Sequence, residues 1–166
     1  MSSSTTGQQH QESRLPNPLK LVPELGQIGG ALFKATGNGS VPQATISLLQ
    51  LRAGQIVGNT YLTVLHTGNL RKAGESEERI TAVASWRDAP YFSGPERAAL
   101  ALVEAVLTPS PQGERVSDEL YAQVSEHYDD TALVTLTMAI GQVCFFIPLA
   151  LIGKPLPGVS PADQWR

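Results

Sequence analysis

Apolar positions recur at helical spacing along most of the chain, punctuated by Pro, Gly and small hydroxyl residues. Pro23 opens a segment with Leu25, Ile28 and Leu32 in register, which predicts a helix to about Ala35. The turn TGNGSVP follows, and Pro42 opens a second predicted helix through ATISLLQLRAG. A third is expected from about Gly58 to Lys72, ending at Ala73-Gly74 as a glycine C-cap. Ser76 caps a helix carrying Ile80, Val83 and Ala84, with Glu77 and Glu78 suiting its positive N-terminal end. Ser93-Gly94-Pro95-Glu96 has the spacing of a capping box, and the helix it opens runs through RAALALVEAVL to a break at Pro109 and Pro111. Ser117 starts another through Val124. Asp129 or Asp130 caps a long apolar helix, which Pro148 is expected to kink or end. No stretch sustains the alternation of a strand, so the expected fold class is all-α.

The long apolar segment changes the picture most. From Thr131 to Gly153 no residue is charged, and its length suits a bilayer span of ~20 residues. Thr135, Thr137, Gly141, Gln142 and Pro148 interrupt it, and no cationic cluster flanks it. It reads instead as the central helix of a soluble bundle or as an oligomer interface. Charged residues make up 16% of the chain, against ~25% in ordinary soluble domains, so much of the surface is uncharged. The net charge of −3 argues against nucleic acid and anionic membranes as partners. The partners expected are further copies of the chain, as a trimer or hexamer, and a small-molecule ligand.

Length and cysteine count set further limits. At 166 residues the chain fits one domain. One cysteine, Cys144, excludes an intramolecular disulfide, a CxxC redox pair and a thiolate zinc site. His127 beside Asp129 and Asp130 lacks a second His at ligand spacing, so no metal is expected. Met1 to Arg14 lacks the apolar core of an export signal, and a cytoplasmic location is the expectation. The organisation expected is a disordered tail over 1–19, a helical domain over 20–153 and an irregular arm over 154–166.

The string LRAGQIVGNTYLTVLHTGNLRKAGESEERITAVASWRDAPYFSGPERAALALVEAV, from Leu51 to Val106, resembles the alkylhydroperoxidase D-like branch of the carboxymuconolactone decarboxylase family. Its markers are Leu-Arg-Ala before Gln-Ile, His66-Thr67, the Ala73-Gly74-Glu75 turn, Trp86-Arg87, Phe92-Ser93 and Glu96-Arg97-Ala98-Ala99-Leu100. The resemblance covers residues 20–153. It implies a compact all-α subunit, assembly into trimers or hexamers, and a peroxiredoxin-like antioxidant activity without a cofactor. The active branch carries E-x11-C-x2-C-x3-H, in which a thiolate attacks and a second thiol resolves. The matching positions here are Ser47, Asn59, Leu62 and His66, so the glutamate and both cysteines are missing. Cys144, in the long apolar helix, has no resolving partner and reads as an inert buried thiol.

Helical projection groups Asn59, Leu62 and His66 and sets Val57, Tyr61, Val64 and Leu65 opposite, as the expected core stripe. His66 is either a general acid/base or ligand hydrogen-bond partner, or a polar residue facing solvent or a backbone carbonyl. Arg52 and Gln55 fall near the same arc if the helix is continuous across Gly58. They then bind a carboxylate or orient a water, or else pair with a neighbouring helix. Trp86, Arg87, Asp88, Phe92, Glu96 and Arg97 are accounted for by a capping box and an aromatic staple. Two functions stay open: a cofactor-free acid/base role around His66, and a non-catalytic oligomeric protein that binds a small ligand or is structural.

Overall fold

The computed structural model describes residues 13–165, and the described residues are helical with no strand. The first long helices are α2 (Glu24–Thr36), α3 (Gln43–Ile56) and α4 (Thr60–Lys72), preceded by a single turn, α1 (Pro18–Leu21). A short helix α5 (Glu77–Ala82) runs into a 3-10 turn at Val83–Ser85. Then come α6 (Gly94–Leu107), α7 (Asp118–Ser125) and α8 (Asp130–Gly153).

Helix α3 is the hub, packed against α4, α6 and α8. Its apolar residues divide between two clusters. Ile46, Leu49 and Ala53 join Val103 of α6 and Leu136 and Ala139 of α8, while Leu48 and Leu51 join Leu70, Val83, Trp86 and Leu100. A helix buried on opposite faces cannot show a single apolar stripe. Each fully buried Leu of α3 stabilises the fold by about 1.5–3 kcal/mol.

The joint between α3 and α4 positions the site. Gly58 adopts φ +67°, a left-handed backbone that favours glycine, and Asn59 caps α4 by accepting a hydrogen bond from Leu62 N at 2.9 Å. A Cβ on Gly54 would sit 3.1 Å from Leu62 Cβ, so the glycine lets α4 approach α3 closely. Other predicted caps are formed: Ser76, Ser93 with Glu96 as a reciprocal box, Ser117 and Asp129.

Helix α8 continues through Pro148 to Gly153 rather than ending there, since Val143 and Ala150, both buried, hold the course on either side. By length and composition it could cross a membrane, and 33% of its most apolar window is buried within the chain. Leu136, Ala139, Ile140 and Val143 face the core; Val134, Phe145, Leu151 and Ile152 are exposed.

Both ends of the described chain meet the end of α8. Arg14 N donates to Gly153 O at 2.7 Å, and Leu15 and Trp165 lie against Gly153. In the arm, Gln164 accepts from Leu156 N and donates to Leu156 O at 2.9 Å, closing a non-helical loop. The boundary expected at residue 20 therefore falls inside α1. Residues 1–12 of the expected tail lie outside the described residues.

Candidate functional site

The buried face of α4 is Leu62, His66 and Leu70, spaced i, i+4 and i+8. This reverses the predicted facing: Val64 is exposed, while Tyr61 and Leu65 are half-buried. The cause is the approach through Gly54, which seats Leu62 against α3 and turns His66 inward with it. Asn59 precedes the helix as its cap and does not share an arc with the other two.

His66 lies on the wall of a cavity of about 540 Å³ between α2, α4 and α8. Only 7% of His66 is exposed, and its Nδ1 is buried with no hydrogen-bond partner among the described residues. Burial pushes its pKa down to about 4, so the imidazole is neutral at pH 7. Tyr61, expected in the core, lines the same space, and burial pushes its phenol up. The other polar lining comes from amides and a hydroxyl. Gln50 Nε2 donates to Gln142 Oε1 at 3.1 Å and to Ala139 O at 3.4 Å, and the Thr36 hydroxyl lies 3.3 Å from the same Gln142 oxygen. None of the described residues on the wall is Asp, Glu, Lys or Arg.

The remaining family positions do not join His66 as a redox set. Leu62 lines the cavity but is apolar; Ser47 is buried and off the wall; Asn59 is occupied in capping. Cys144 is half-buried against the core of α3 and α8, and burial raises its pKa.

Arg52 and Gln55 turn away from His66, because the chain breaks at Gly58 and the two helices do not share one projection. Arg52 Nε donates to Glu104 Oε1 at 2.9 Å, and Nη1 donates to Gln55 Oε1 at 3.2 Å. The same carboxylate of α6 accepts from Trp86 Nε1 at 2.8 Å and from Arg87 Nη2 at 2.9 Å. Burial pushes the Glu104 pKa upward, but the bonds from Trp86, Arg52 and Arg87 outweigh it and hold the carboxyl below its ordinary range. Arg87 stacks 4.3 Å from the Trp86 ring, and Arg97 donates to the backbone carbonyls of Trp86 and Arg87, both at 3.0 Å. The Trp86–Arg87 region is thus a helix clamp.

Nothing in the sequence marks Gln50 and Asn69 for the cavity wall or Glu104 for the clamp, and Gln142 is visible there only as an interruption of the apolar run. The available signal was an uncharged amide inside an apolar run, as at Gln142.

The Carboxymuconolactone decarboxylase family matches residues 24–105. The uncharacterized protein YdfG of Bacillus subtilis is 37% identical over 125 residues, covering 75% of this chain and 83% of its own. The uncharacterized protein YnjA of Escherichia coli is 33% identical over 95 residues, 57% of this chain and 50% of its own. Among solved structures, a protein of unknown function from Agrobacterium tumefaciens, described as a putative antioxidant defence protein AhpD, superposes with TM-score 0.78 at 28% identity. The match covers 90% of this chain and all of that one. The debrominase Bmp8, in complex with 2,3,4-tribromopyrrole, superposes with TM-score 0.73 over 88% of this chain and 76% of its own. At 16% identity that is a likeness of fold alone. The chain belongs to the carboxymuconolactone decarboxylase family, with an alkylhydroperoxidase D-like fold.

Proposed function

We propose that this chain binds a small organic molecule in the cavity around His66 and runs no thiol-based peroxidase cycle. The observation that carries this reading is a cavity of about 540 Å³ with a buried, unpartnered imidazole on its wall and no sulfur at the two family cysteine positions. The antioxidant description of the Agrobacterium neighbour implies chemistry that Asn59 and Leu62 do not supply. Cavities of this size and mostly apolar lining are those of small-molecule sites.

The geometry favours binding over acid/base turnover. An efficient acid/base group has a pKa near the working pH, whereas His66 is held at about 4. Arg52 and Gln55, the groups that would have assisted it, are committed to the Glu104 clamp. A screen of neutral and ionic compounds by thermal denaturation, with the His66 ring signals as reporter, is the test. The expected result is a set of binders that raise the midpoint and shift His66. A screen in which nothing moves those signals would overturn the reading. Dithiol-supported hydroperoxide consumption by Cys144→Ser is expected to be nil.

The exposed apolar side of α8 supports a homo-oligomer, a trimer or hexamer by family likeness. Light scattering that reports a 17.7 kDa particle at micromolar concentration would overturn this.

A further inference from the structure

We infer that the ligand is an uncharged, mostly apolar carbonyl compound whose oxygen accepts a hydrogen bond from His66 and whose ring or chain lies along the glycines of α2. This rests on the proposed reading of the cavity as a binding site and goes beyond it by naming the ligand class.

Charge is excluded first. With no Asp, Glu, Lys or Arg on the described wall, an ion would lose its hydration without a counter-charge. The rim at Leu19 and Phe33 is exposed, so the penalty grows with the depth at which the charge sits towards the buried His66. The hydrogen-bond polarity follows from His66. A neutral imidazole has one N–H and one lone pair, and Nδ1 is the nitrogen sealed in without a partner. A buried N–H without an acceptor is rarer and costlier than an unused lone pair. The proton therefore sits on Nε2, and His66 offers a donor to whatever occupies the cavity. The amide hydrogens of Gln50 are already given to Gln142 and Ala139, whereas the imidazole, like the Tyr61 hydroxyl and the Asn69 and Gln142 amides on the same wall, donates to no acceptor among the described residues; of these, His66 is the one buried titratable ring.

Size comes from α2. Gly26, Gly29 and Gly30 stand inside a helix, where each costs about 0.5–1 kcal/mol relative to Ala. All three line the cavity. Their backbones do not require glycine, since none has a positive φ. Packing does not require it either. A Cβ on Gly29 would reach Phe146 Cζ at an ordinary 3.6 Å, and one on Gly30 would meet nothing within 4 Å. What the missing side chains leave is room, and at Gly29, which lies beside Phe146 on the wall, any side chain longer than a methyl would have to enter the cavity or push Phe146 aside.

A matched trio tests this by calorimetry: 2-acetylnaphthalene with a carbonyl, 2-ethylnaphthalene without one, and 2-naphthoate with a charge. The ketone is expected to bind at least tenfold tighter than the hydrocarbon, the ratio one hydrogen bond of about 1.4 kcal/mol gives. The carboxylate is expected to bind at least a hundredfold more weakly than the ketone. His66→Phe should bring the ketone down to the hydrocarbon, while His66→Gln, which keeps an N–H, should retain part of the preference. Gly29→Leu should weaken both neutral probes while the thermal midpoint reports an intact fold. Naphthoate binding as tight as the ketone, or a ketone preference that survives His66→Phe, overturns the ligand class. In that case the loss caused by Gly29→Leu still supports the cavity as a binding site. Failure of every probe to bind, or binding indifferent to Gly29→Leu, overturns the class and contradicts the cavity reading beneath it.

Discussion

Two polar groupings sit within this helical domain, and they are opposites. Around Glu104, Arg52, Trp86 and Arg87 each donate to one carboxylate, tying α3 and the turn after α5 to α6. Around His66 the ring nitrogen Nδ1 is buried with nothing to bond, and the space beside it is lined by amides, glycines and apolar side chains. A satisfied network contributes rigidity, whereas a buried polar atom without a partner, as at Nδ1, costs stability. The residues that look most chemical in the sequence, Trp86, Arg87 and Arg52, therefore belong to the scaffold. The cavity, by contrast, is lined, His66 and Tyr61 apart, by amides, glycines and apolar side chains without an obvious chemical label.

The sharpest way to break the contrast is to empty the clamp. Glu104→Ala leaves Trp86 Nε1 and the Arg52 guanidinium without their acceptor, and a loss of about 3 kcal/mol is expected by chemical denaturation. A loss below about 0.5 kcal/mol, the scale of an ordinary surface substitution, would remove the distinction between the two groupings.

The cavity side is probed through pH. The pKa of His66 falls from 6.5 to about 4 on folding, so below pH 6.5 the unfolded chain takes up a proton that the folded chain refuses. Stability is therefore fully present above pH 6.5 and is lost as the pH falls towards 4, by about 3 kcal/mol in all. The carboxyls of Glu96 and Glu104, held below their ordinary value of 4.5, add their own losses only below that pH. His66→Phe should flatten the upper part of the profile, and an unchanged slope between pH 6.5 and 4.5 would show that the ring is not buried neutral. The smallest effect is expected at Gln55, whose amide only flanks the clamp: Gln55→Ala should change stability by less than about 0.5 kcal/mol.

Much of the fold is legible in the sequence because caps are local. Ser76, Ser93 with Glu96, Ser117 and Asp129 each cap the helix they predict. Pro148 misleads for the opposite reason, since its cost to a helix is local while the packing of Val143 and Ala150 that outweighs it is not. The candidate site is only half legible. His66 stands out as the retained family position, but which face of α4 is buried depends on Gly54 receiving Leu62, a contact made across a turn. For Arg52 and Gln55 the sequence leaves two partners open, the His66 arc or a neighbouring helix, and the break at Gly58 that decides for α6 is not visible to a projection of one continuous helix. Gln50 and Gln142 meet only after α3 and α8 pack, and neither carries a spacing that announces the other.

The cavity's chemistry turns on the state of one imidazole. Nuclear magnetic resonance titration of the His66 ring carbons and nitrogens in the ligand-free protein measures it without reference to any activity. A midpoint near 4, with the proton on Nε2 above it, is the predicted result. A midpoint near the ordinary 6.5 would mean that His66 is hydrated or paired, and would contradict the unpartnered cavity on which the functional reading stands.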